Sequence, residues 1–482
     1  MSLLLGIDEG TSAVKAVVFD GDLKPVNEAR REKPLIHPKP GWVEQDPEVI
    51  VDAVVGAVGE LLQDEPDIAA CGLDHQGESV LAWDAETGKA LTTVVTWQDK
   101  RSQEILDRLE ADGKAELILK ASGMPLDPYF SAGKLAWLLE NDDAVAKAVD
   151  AGTARLGTVD SFLCDRLGAG FATDPSTASR TQLGAPEWDD ALLEVYGVPR
   201  DALPRIMDTA GDLGTLSHPS WPVDLPLRAR TVDQQAALAG AGCVVPGRVK
   251  ATYGTGVFIL AHAGDAVPEP AGGLLPTVAW SIDGRLEYAI DGGVFTAGAM
   301  LEWLCRELGV APDPPALGAL AREADDSAGA RLLPALAGVG APWWKPEARA
   351  VLAGLHGGTT RANVARAAFE GIAWRVADVV EAIRGSVDVD ALRVDGGVTN
   401  EPLMLALQAD AIGVPVEAGG ADATVAGAAA LAAVGAGVLP SLLEAADLLP
   451  VDRRVEPTRD AQWRAAEHER WRAFVSAAAE LR

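Results

Sequence analysis

The sequence predicts an α/β protein of two domains, with a ligand cleft between their glycine-rich turns. Three observations support this prediction. At 482 residues, the chain is too long for one compact hydrophobic core. Strand-like apolar runs alternate with segments of helical spacing. A strand, a polar glycine turn and a second strand occur near residues 5–20 and again near 250–262. The Val-Val-Pro-Gly break at 244–247 places the boundary, which gives domains 1–245 and 246–482.

The first half of the chain follows this alternation element by element. LLLGIDE and AVKAVVFD predict two strands joined by the turn Asp8–Ser12. Asp46 and Pro47 are typical of a helix start, and helical spacing continues to residue 62. The further predicted elements are a strand over 68–76, a hairpin around 86–88, helices over 99–149, a helix near Asp160, a loop-rich stretch over 185–230 and a helix from Asp233.

The second half shows strand-and-turn patterns at three places. VKATYGTGVFILAHAG, residues 249–264, predicts a strand, a Gly-Thr-Gly turn and a strand. LEYAIDGGVFTAGAMLEWLCREL, residues 286–308, predicts a strand, a Gly-Gly turn and a helix. LRVDGGVTNEPLMLALQADAIGVPVEA, residues 392–418, predicts a strand, a Gly-Gly turn, a helix and a strand.

Composition excludes several classes of partner. The net charge of −30 argues against nucleic acid and anionic membranes, because both require a basic face. The four cysteines are widely separated in apolar surroundings, which predicts reduced thiols and a cytoplasmic protein. No signal-like segment opens the sequence, and no apolar run reaches the ~20 residues of a membrane span.

Three polar glycine turns follow predicted strands, at Asp8–Lys15, Tyr253–Gly256 and Asp395–Asn400. Backbone N–H groups and hydroxyls around a carboxylate suit a magnesium-bound phosphate, so together these turns favour a nucleotide cleft. One such turn alone is equally typical of an ordinary hairpin. There is no GxxxxGK[ST] loop and no GxGxxG after the first strand, so P-loop and dinucleotide-binding folds are disfavoured.

Two further features concern a hydroxyl-bearing substrate. TVDQQAALAGAGC places Asp233 at a helix start, where it either caps the helix or accepts a proton from a substrate hydroxyl. Trp97 and Tyr129 lie in polar loops. Their rings suit the C–H faces of a polyol or sugar, although half-buried packing would place such residues similarly.

Several ordered stretches over about residues 3–440 are similar to the FGGY carbohydrate kinases, and within that family most similar to the glycerol kinases. The regions 129–141 and 350–371 each resemble one of the two long family signatures. The matching stretches are VVTWQDKRS, LDPYFSAGKLAWLLEN, GTVDSFLCDRL, STASRTQLG, DQQAALAGAGC, ATYGTGVFIL, GAPWWKPEARAVLAGLHGGTTRANVARAAFEGIAW and LRVDGGVTN.

The resemblance implies two ribonuclease-H-like domains of the actin/hexokinase type and the use of ATP and Mg²⁺. On the nucleotide side, Asp8 would hold Mg²⁺, and the phosphates would meet Gly10, Thr11, Ser12, Lys15, Thr255 and Gly256. The α-phosphate and adenosine would meet Gly298 and Gly397. Asn400 falls close to the adenine-contacting asparagine of the family, in a stretch one residue shorter, and Glu302 stands where glycerol kinases usually have glutamine.

On the substrate side, the resemblance implies that Asp233 is the general base, with Gln234 beside it. Glu78, Trp97, Tyr129 and Phe258 would line the polyol pocket. One residue departs from the family pattern, because glycerol kinases have an arginine where this chain has Gly77. We expect free space there and weaker binding of glycerol, unless Lys100, Arg101 or His75 supplies another donor.

The resulting expectation is ATP-dependent phosphorylation of a primary hydroxyl of glycerol or a related C4–C5 polyol. The alternatives are a pentulose or pentitol kinase of the same family, or a non-catalytic actin-like or sugar-sensing ATP-binding protein. The expected partners are therefore a small polyol and ATP, with neither nucleic acid nor membrane. The sequence does not determine the oligomeric state, and a homodimer or homotetramer is compatible with it.

Overall fold

The computed structural model describes residues 2–269, 272–419 and 422–481. These residues form two compact units. The first comprises Met1–Gly242, Thr277–Tyr288 and Asp422–Leu449, and the second comprises Cys243–Pro276, Ala289–Ala421 and Pro450–Arg482. The first unit therefore includes two segments from the second half of the sequence.

The strands are short to medium in length and occur throughout the chain. In chain order they are β1 Leu3–Glu9, β2 Ala13–Phe19, β3 Pro25–Glu32, β4 Glu44–Gln45, β5 Ile68–His75, β6 Val80–Asp84, β7 Val94–Val95, β8 Ala154–Thr158, β9 Ala172–Thr173, β10 Arg205–Ile206, β11 Thr215–Leu216, β12 Leu225–Val232, β13 Arg248–Tyr253, β14 Val257–Gly264, β15 Leu275–Ile282, β16 Arg285–Val294, β17 Arg331–Leu333, β18 Val351–Ala353, β19 Ala391–Asp395, β20 Val416–Ala418 and β21 Arg453–Val455.

Helices separate many of these strands, as expected for an α/β protein. They are α1 Pro47–Asp64, α2 Gln103–Ala111, α3 Ala115–Ser122, α4 Ser131–Asn141, α5 Asp143–Asp150, α6 Val159–Arg166, α7 Pro175–Arg180, α8 Asp190–Tyr196, α9 Asp233–Gly240, α10 Gly298–Arg306, α11 Pro314–Ala321, α12 Arg361–Ile383, α13 Pro402–Ile412, α14 Ala423–Gly435, α15 Leu442–Leu448 and α16 Ala461–Ala479. In the described part of the chain, no helix is both long and apolar enough to span a bilayer.

Two large mixed sheets organise the fold. One has six strands in the order β11-β12-β5-β1-β2-β3, and the other has seven in the order β15-β16-β14-β13-β19-β20-β21. Both predicted hairpins are confirmed, since β1 pairs antiparallel with β2 and β13 pairs antiparallel with β14. In the first sheet, β1, β5 and β12 run parallel to one another. Residues that follow these three strands therefore lie at one edge of the sheet.

A helix rich in alanine and glycine packs closely against this first sheet. A Cβ added to Gly72 of β5 would lie 2.0 Å from the Ala428 carbonyl oxygen of α14. A Cβ on Gly240 of α9 would lie 1.8 Å from the Ala423 carbonyl oxygen. Backbones can approach this closely only where both helices present small residues. The close contact fixes α9, the helix that begins with Asp233.

Some local predictions are confirmed and two are wrong. Asp46 caps α1 and accepts a hydrogen bond from the Glu48 amide at 2.9 Å, as predicted. The predicted turn at Gly292 and Gly293 lies instead inside β16. Glycine is needed at 292 for packing and not for a turn, because a Cβ there would meet a Leu274 methyl at 2.6 Å. Asp233 does not cap α9: it is the first helical residue, and Val232 occupies the capping position without a side-chain hydrogen bond.

Candidate active site

Three aspartates lie at the carboxyl ends of neighbouring parallel strands in the first unit. The register pairs Asp8 of β1 with Asp74 of β5, and it pairs Thr231 of β12 with Asp74. Asp233 follows directly after β12. The sheet edge thus brings together Asp8 and Asp233, the two residues predicted to hold the metal and to act as base. It also adds Asp74, which the sequence analysis did not single out.

Burial dominates the electrostatics of this edge. It raises the pKa of Asp8 to about 6. It also raises the pKa of Asp74 well above its usual range, and the negative charges of Asp8 and Asp233 act in the same direction. Burial and mutual repulsion therefore both disfavour the ionised forms of these neighbouring carboxyl groups. Nearby, the buried Glu9 forms an ion pair with Lys33, so that carboxylate is already neutralised.

The turn after Asp8 is held in place by contacts to its backbone and hydroxyl. Gln45 Nε2 donates to the Thr11 carbonyl oxygen at 2.7 Å, and Trp97 Nε1 donates to Thr11 Oγ1 at 3.0 Å. A Cβ on Gly10 would lie 3.3 Å from Asp8 Oδ1, which is tighter than most such contacts. Ser12 is exposed beside them. The turn is therefore ordered, with Trp97 packed directly against it.

Lys15, predicted to meet phosphate, is held by two carboxylates. Its Nζ lies 2.7 Å from Asp422 Oδ1 and 2.9 Å from Glu28 Oε2. Asp422 immediately precedes α14, the helix packed on this sheet. In this arrangement the Lys15 ammonium is oriented by the two carboxylates. To contact a phosphate, it would have to give up its bond to one of them.

A second group of side chains surrounds Glu78, which follows β5 and precedes β6. Glu78 has a positive φ of 60°, a conformation that is uncommon and strained for a residue with a side chain. Arg180, at the end of α7, donates from Nε to Glu78 Oε1 at 2.7 Å, and both side chains are buried. The Arg180 guanidinium carbon lies 5.6 Å from the Tyr129 ring centroid. The Tyr129 ring in turn contacts Trp97 edge-on at 5.8 Å. The structure thus brings Glu78, Trp97 and Tyr129 together.

Lys134 stabilises the backbone around Glu78 and Tyr129. It is fully buried in the first turn of α4, and its Nζ donates to the carbonyl oxygens of Glu78 at 3.1 Å and Phe130 at 3.2 Å. It also donates to the Tyr129 carbonyl oxygen. Burial lowers the pKa of Lys134 to about 7. One ammonium therefore joins the backbones of two residues expected to contact the polyol.

The expected free space beside Gly77 is absent in the direction that a side chain would take. A Cβ on Gly77 would lie 2.8 Å from a Val232 methyl. Two of the proposed substitute donors are engaged elsewhere. Arg101 binds Asp99 and Glu44, and His75 Nε2 lies 2.9 Å from Thr177 Oγ1.

The guanidinium that reaches Glu78 belongs to Arg180, which the sequence analysis did not assign to the site. The available signal was its place in STASRTQLG, one of the family-like stretches, beside a helix capped by Asp174. Periodicity offered no indication, because 102 residues separate Arg180 from Glu78.

The second unit contains a cavity of 560 Å³ at its glycine turns. A Cβ on Gly298 would lie 2.5 Å from the Gly254 carbonyl oxygen, so the start of α10 packs directly on the β13–β14 turn. Gly396, at φ 94°, allows the sharp turn after β19. The predicted nucleotide residues among its lining are Thr255, Gly298, Glu302, Gly397 and Asn400.

Two other predicted residues of this unit lie outside the lining of this cavity. Gly256 does not line the cavity, and a Cβ there would lie 2.4 Å from the Val294 carbonyl oxygen, so close packing explains this glycine. Phe258, predicted to line the polyol pocket, lies on β14 with 41% of its surface exposed. In the first unit, Gln234 is the second residue of α9 and directly follows Asp233 in sequence.

Comparison with known proteins identifies the family. The N-terminal domain of the FGGY family of carbohydrate kinases matches residues 3–240, and its C-terminal domain matches residues 249–436. Glycerol kinase 2 of Thermotoga maritima is 37% identical over 99% of this chain and 98% of its own length. A glycerol kinase of Alkalilimnicola ehrlichii is 41% identical over 91% of each chain.

A solved structure agrees with these relatives. The crystal structure of Plasmodium falciparum glycerol kinase with ADP superimposes with a TM-score of 0.95 at 28% identity, covering 99% of this chain and 98% of that one. This likeness confirms the predicted two-domain α/β fold of the actin/hexokinase type. The chain belongs to the FGGY family of carbohydrate kinases.

Proposed function

We propose that this protein transfers the γ-phosphoryl group of ATP to a primary hydroxyl of glycerol or a related C4–C5 polyol. The observation that supports this most directly is the sheet edge at which Asp8 and Asp233 follow neighbouring parallel strands. An ordered Thr-Ser turn adjoins Asp8. The similarity to proteins named glycerol kinase, one of them solved with ADP, supports both the nucleotide and the polyol.

The residues present fit a magnesium ion. Both carboxyl oxygens of the buried Asp74 lack a hydrogen-bond partner in the described part of the chain, so a cation nearby would relieve the accumulated negative charge. No group of three or more His, Cys, Asp or Glu side chains among residues 2–269, 272–419 and 422–481 forms a ready-made metal cage. Mg²⁺ keeps several waters and binds through one or two carboxylates and the substrate phosphates, so it needs no such cage. Asp8 would hold it, and the ion would neutralise phosphate charge during transfer.

Asp233 would act as the general base. As the polyol oxygen bonds to the γ-phosphorus, the bond from that phosphorus to the bridging oxygen breaks and ADP leaves. Asp233 accepts the hydroxyl proton. The backbone of α9 is fixed by its close contact with α14, so the start of the helix that carries Asp233 is held in place. Gln234, next in the same helix turn, would assist in orienting the substrate.

Glu78, Trp97 and Tyr129 would bind the polyol, with Arg180 orienting Glu78. The 2.7 Å bond from Arg180 fixes one oxygen of Glu78 and leaves the other to accept from a hydroxyl. The two aromatic rings would cover the C–H faces of the chain. Thr255, Gly298, Glu302, Gly397 and Asn400 would bind the α-phosphate and adenosine in the 560 Å³ cavity.

A pentulose or pentitol is the second candidate substrate, because Gly77 replaces the arginine found in glycerol kinases. A charge-assisted hydrogen bond to a polyol hydroxyl stabilises it by about 1.5–3 kcal/mol. Its loss would weaken glycerol use by roughly 10- to 100-fold. Because Val232 fills the space beside Gly77, a C4 or C5 polyol or the matching ketose would surpass glycerol through its additional hydroxyls and not through free volume at Gly77.

The test is coupled ADP release with ATP and Mg²⁺ across glycerol, erythritol, threitol, pentitols and pentuloses. Polyol-dependent ADP release with a higher kcat/KM for a C4 or C5 compound would support both proposals. A tenfold preference for glycerol would contradict the altered specificity and leave the kinase assignment intact. No polyol- or sugar-dependent turnover across the panel would contradict the kinase assignment itself.

A further inference from the structure

A second cavity, of 690 Å³, opens on the second unit away from the glycine turns. We call it the arginine groove. It lies among the end of α12, the end of α13 and one face of α16, and it shares no lining residue with the proposed nucleotide cavity. Four of its lining residues are alanines, which leave the space open. The lining residues are Ala377, Glu381, Arg384, Ala411, Ala461, Arg464, Ala465, His468, Glu469 and Arg472.

Two guanidiniums of the groove lack an acidic partner. Among the described residues, the side chains of Arg464 and Arg472 form neither a salt bridge nor a hydrogen bond, although the chain carries 71 acidic residues. Arg472 instead lies over the Trp343 ring at 5.8 Å. By contrast Arg470, on the same helix, is paired with Glu467. The groove therefore presents hydrogen-bond donors that the protein itself leaves unsatisfied.

The backbone is shaped to place one of these donors. Gly413 ends α13 with a left-handed φ of 70°. A Cβ at Gly413 would lie 2.1 Å from Arg464 Cζ, so the guanidinium occupies the space that a side chain would fill. A residue larger than glycine would require the Arg464 guanidinium to move from this position.

The neighbouring imidazole is also fixed. His468 stacks on Trp374 with an interplanar angle of 14°, and its Nε2 lies 2.9 Å from Asp378 Oδ1. Asp378 is itself buried and accepts from the indole nitrogens of Trp343 at 2.8 Å and Trp471 at 3.0 Å. This network holds α16 against α12. Arg464, His468 and Arg472 recur at intervals of four residues along one side of α16, so they face the groove together.

The acidic residues of the groove do not cancel this charge. Glu381 is already paired with Arg384 at 3.2 Å. The remaining acidic residue of the lining is Glu469, so one carboxylate accompanies the two unpaired arginines. Guanidinium groups bind phosphate through two parallel hydrogen bonds. The volume is in the range of small-molecule clefts.

We propose that the arginine groove binds a phosphate-bearing small molecule through Arg464 and Arg472. This site is additional to the proposed kinase function and separate from its nucleotide cavity. Both cavities contact α12, since Phe369 lines the nucleotide cavity and Ala377 lines the groove. Eight residues of helix separate these positions by about 12 Å.

The test is calorimetric titration with inorganic phosphate and, separately, with glucose 6-phosphate. The protein is first saturated with Mg²⁺, a non-hydrolysable ATP analogue and glycerol, and sodium chloride of equal ionic strength is the ionic control. Comparing the two probes shows whether free phosphate or a phosphate ester is preferred. The variant is Arg464→Gln/Arg472→Gln, and the matched control is Arg470→Gln, which changes a paired arginine on the same helix.

We expect about one phosphate group bound per chain by the parent and by Arg470→Gln, and at least tenfold weaker binding by the double variant with an unchanged circular dichroism spectrum. If the double variant fails to fold, Arg472→Gln alone, at an exposed position, is expected to weaken binding at least threefold. The proposal would be overturned if neither probe binds at a concentration of about 10 mM. It would also be overturned if the double variant binds as tightly as the parent, or if Arg470→Gln loses as much affinity as the double variant. Because no turnover is measured, this outcome is independent of the kinase assay.

Discussion

Lys134→Met removes the ammonium that joins the Glu78, Tyr129 and Phe130 carbonyl oxygens while keeping a side chain of similar length. Each buried carbonyl left without a donor costs about 1–3 kcal/mol. Part of this cost is offset, because the variant no longer buries a charge. We expect the backbones of Glu78 and Tyr129 to rearrange in the free variant, so that polyol binding has to restore their positions. A cost of about 1.5–3 kcal/mol for this corresponds to a 10- to 100-fold rise in the polyol KM.

The assay is steady-state kinetics with polyol and ATP varied in turn. The polyol KM should rise, while the KM for ATP should stay within about twofold, because none of the groups bound by Lys134 is assigned to the nucleotide. Lys120→Met, at an exposed lysine of α3, is the matched control and should behave as the parent. Equal rises in both KM values, or an unchanged polyol KM in a folded variant, would refute the positioning role.

The same residue predicts a pH dependence of stability. Burial lowers the pKa of Lys134 to about 7 in the folded protein, while the unfolded chain keeps the ordinary, higher value. Above pH 7 the unfolded state therefore binds more protons, so the free energy of unfolding rises with pH through this window. The slope from this one group is at most about 1.4 kcal/mol per pH unit. The difference in unfolding free energy between parent and Lys134→Met should grow from pH 7 to pH 9 in urea titrations, and parallel profiles would contradict this.

Three further substitutions test other parts of the site. Gly77→Arg should lower activity on every polyol at least tenfold, because its Cβ would lie 2.8 Å from a methyl of Val232, the residue before Asp233; a gain on glycerol in steady-state assays would contradict this. Arg180→Gln removes the buried partner of Glu78 and should raise the polyol KM roughly 10- to 100-fold, since a charge-assisted hydrogen bond contributes about 1.5–3 kcal/mol; an unchanged KM would exclude this role. Asp8→Asn should raise the Mg²⁺ concentration for half-maximal rate at least tenfold, and an unaltered magnesium titration would remove Asp8 as its ligand.

The predictable parts of this protein are those set by local sequence. Both hairpins were foreseen because alternating apolar runs flank short turns of Asp, Gly, Thr and Ser. The start of α1 is predictable because Asp46 accepts from a free amide of the first helical turn and Pro47, which has no N–H, suits the first helical position. The family resemblance implies that Asp8 and Asp233 belong to one active site, and the strand register places both at the same end of the first sheet.

The parts that were missed depend on packing between distant residues. LDPYFSAGKLAW gave no indication that Lys134 would be buried against three carbonyls. Gly77 was read as open space, yet the position of Val232 is set by β12, far along the chain. Gly292 resembled a turn residue because local sequence cannot show that Leu274 packs over it.

Asp233→Asn tests the central claim most directly, because amide and carboxylate have the same shape but only the carboxylate accepts a proton. The measurement is turnover on the best polyol at saturating ATP and Mg²⁺, with nucleotide affinity measured in parallel by calorimetry. We predict a fall in kcat of about 10²–10⁴ with nucleotide affinity within twofold of the parent. A variant whose kcat stays within about threefold of the parent would contradict the account.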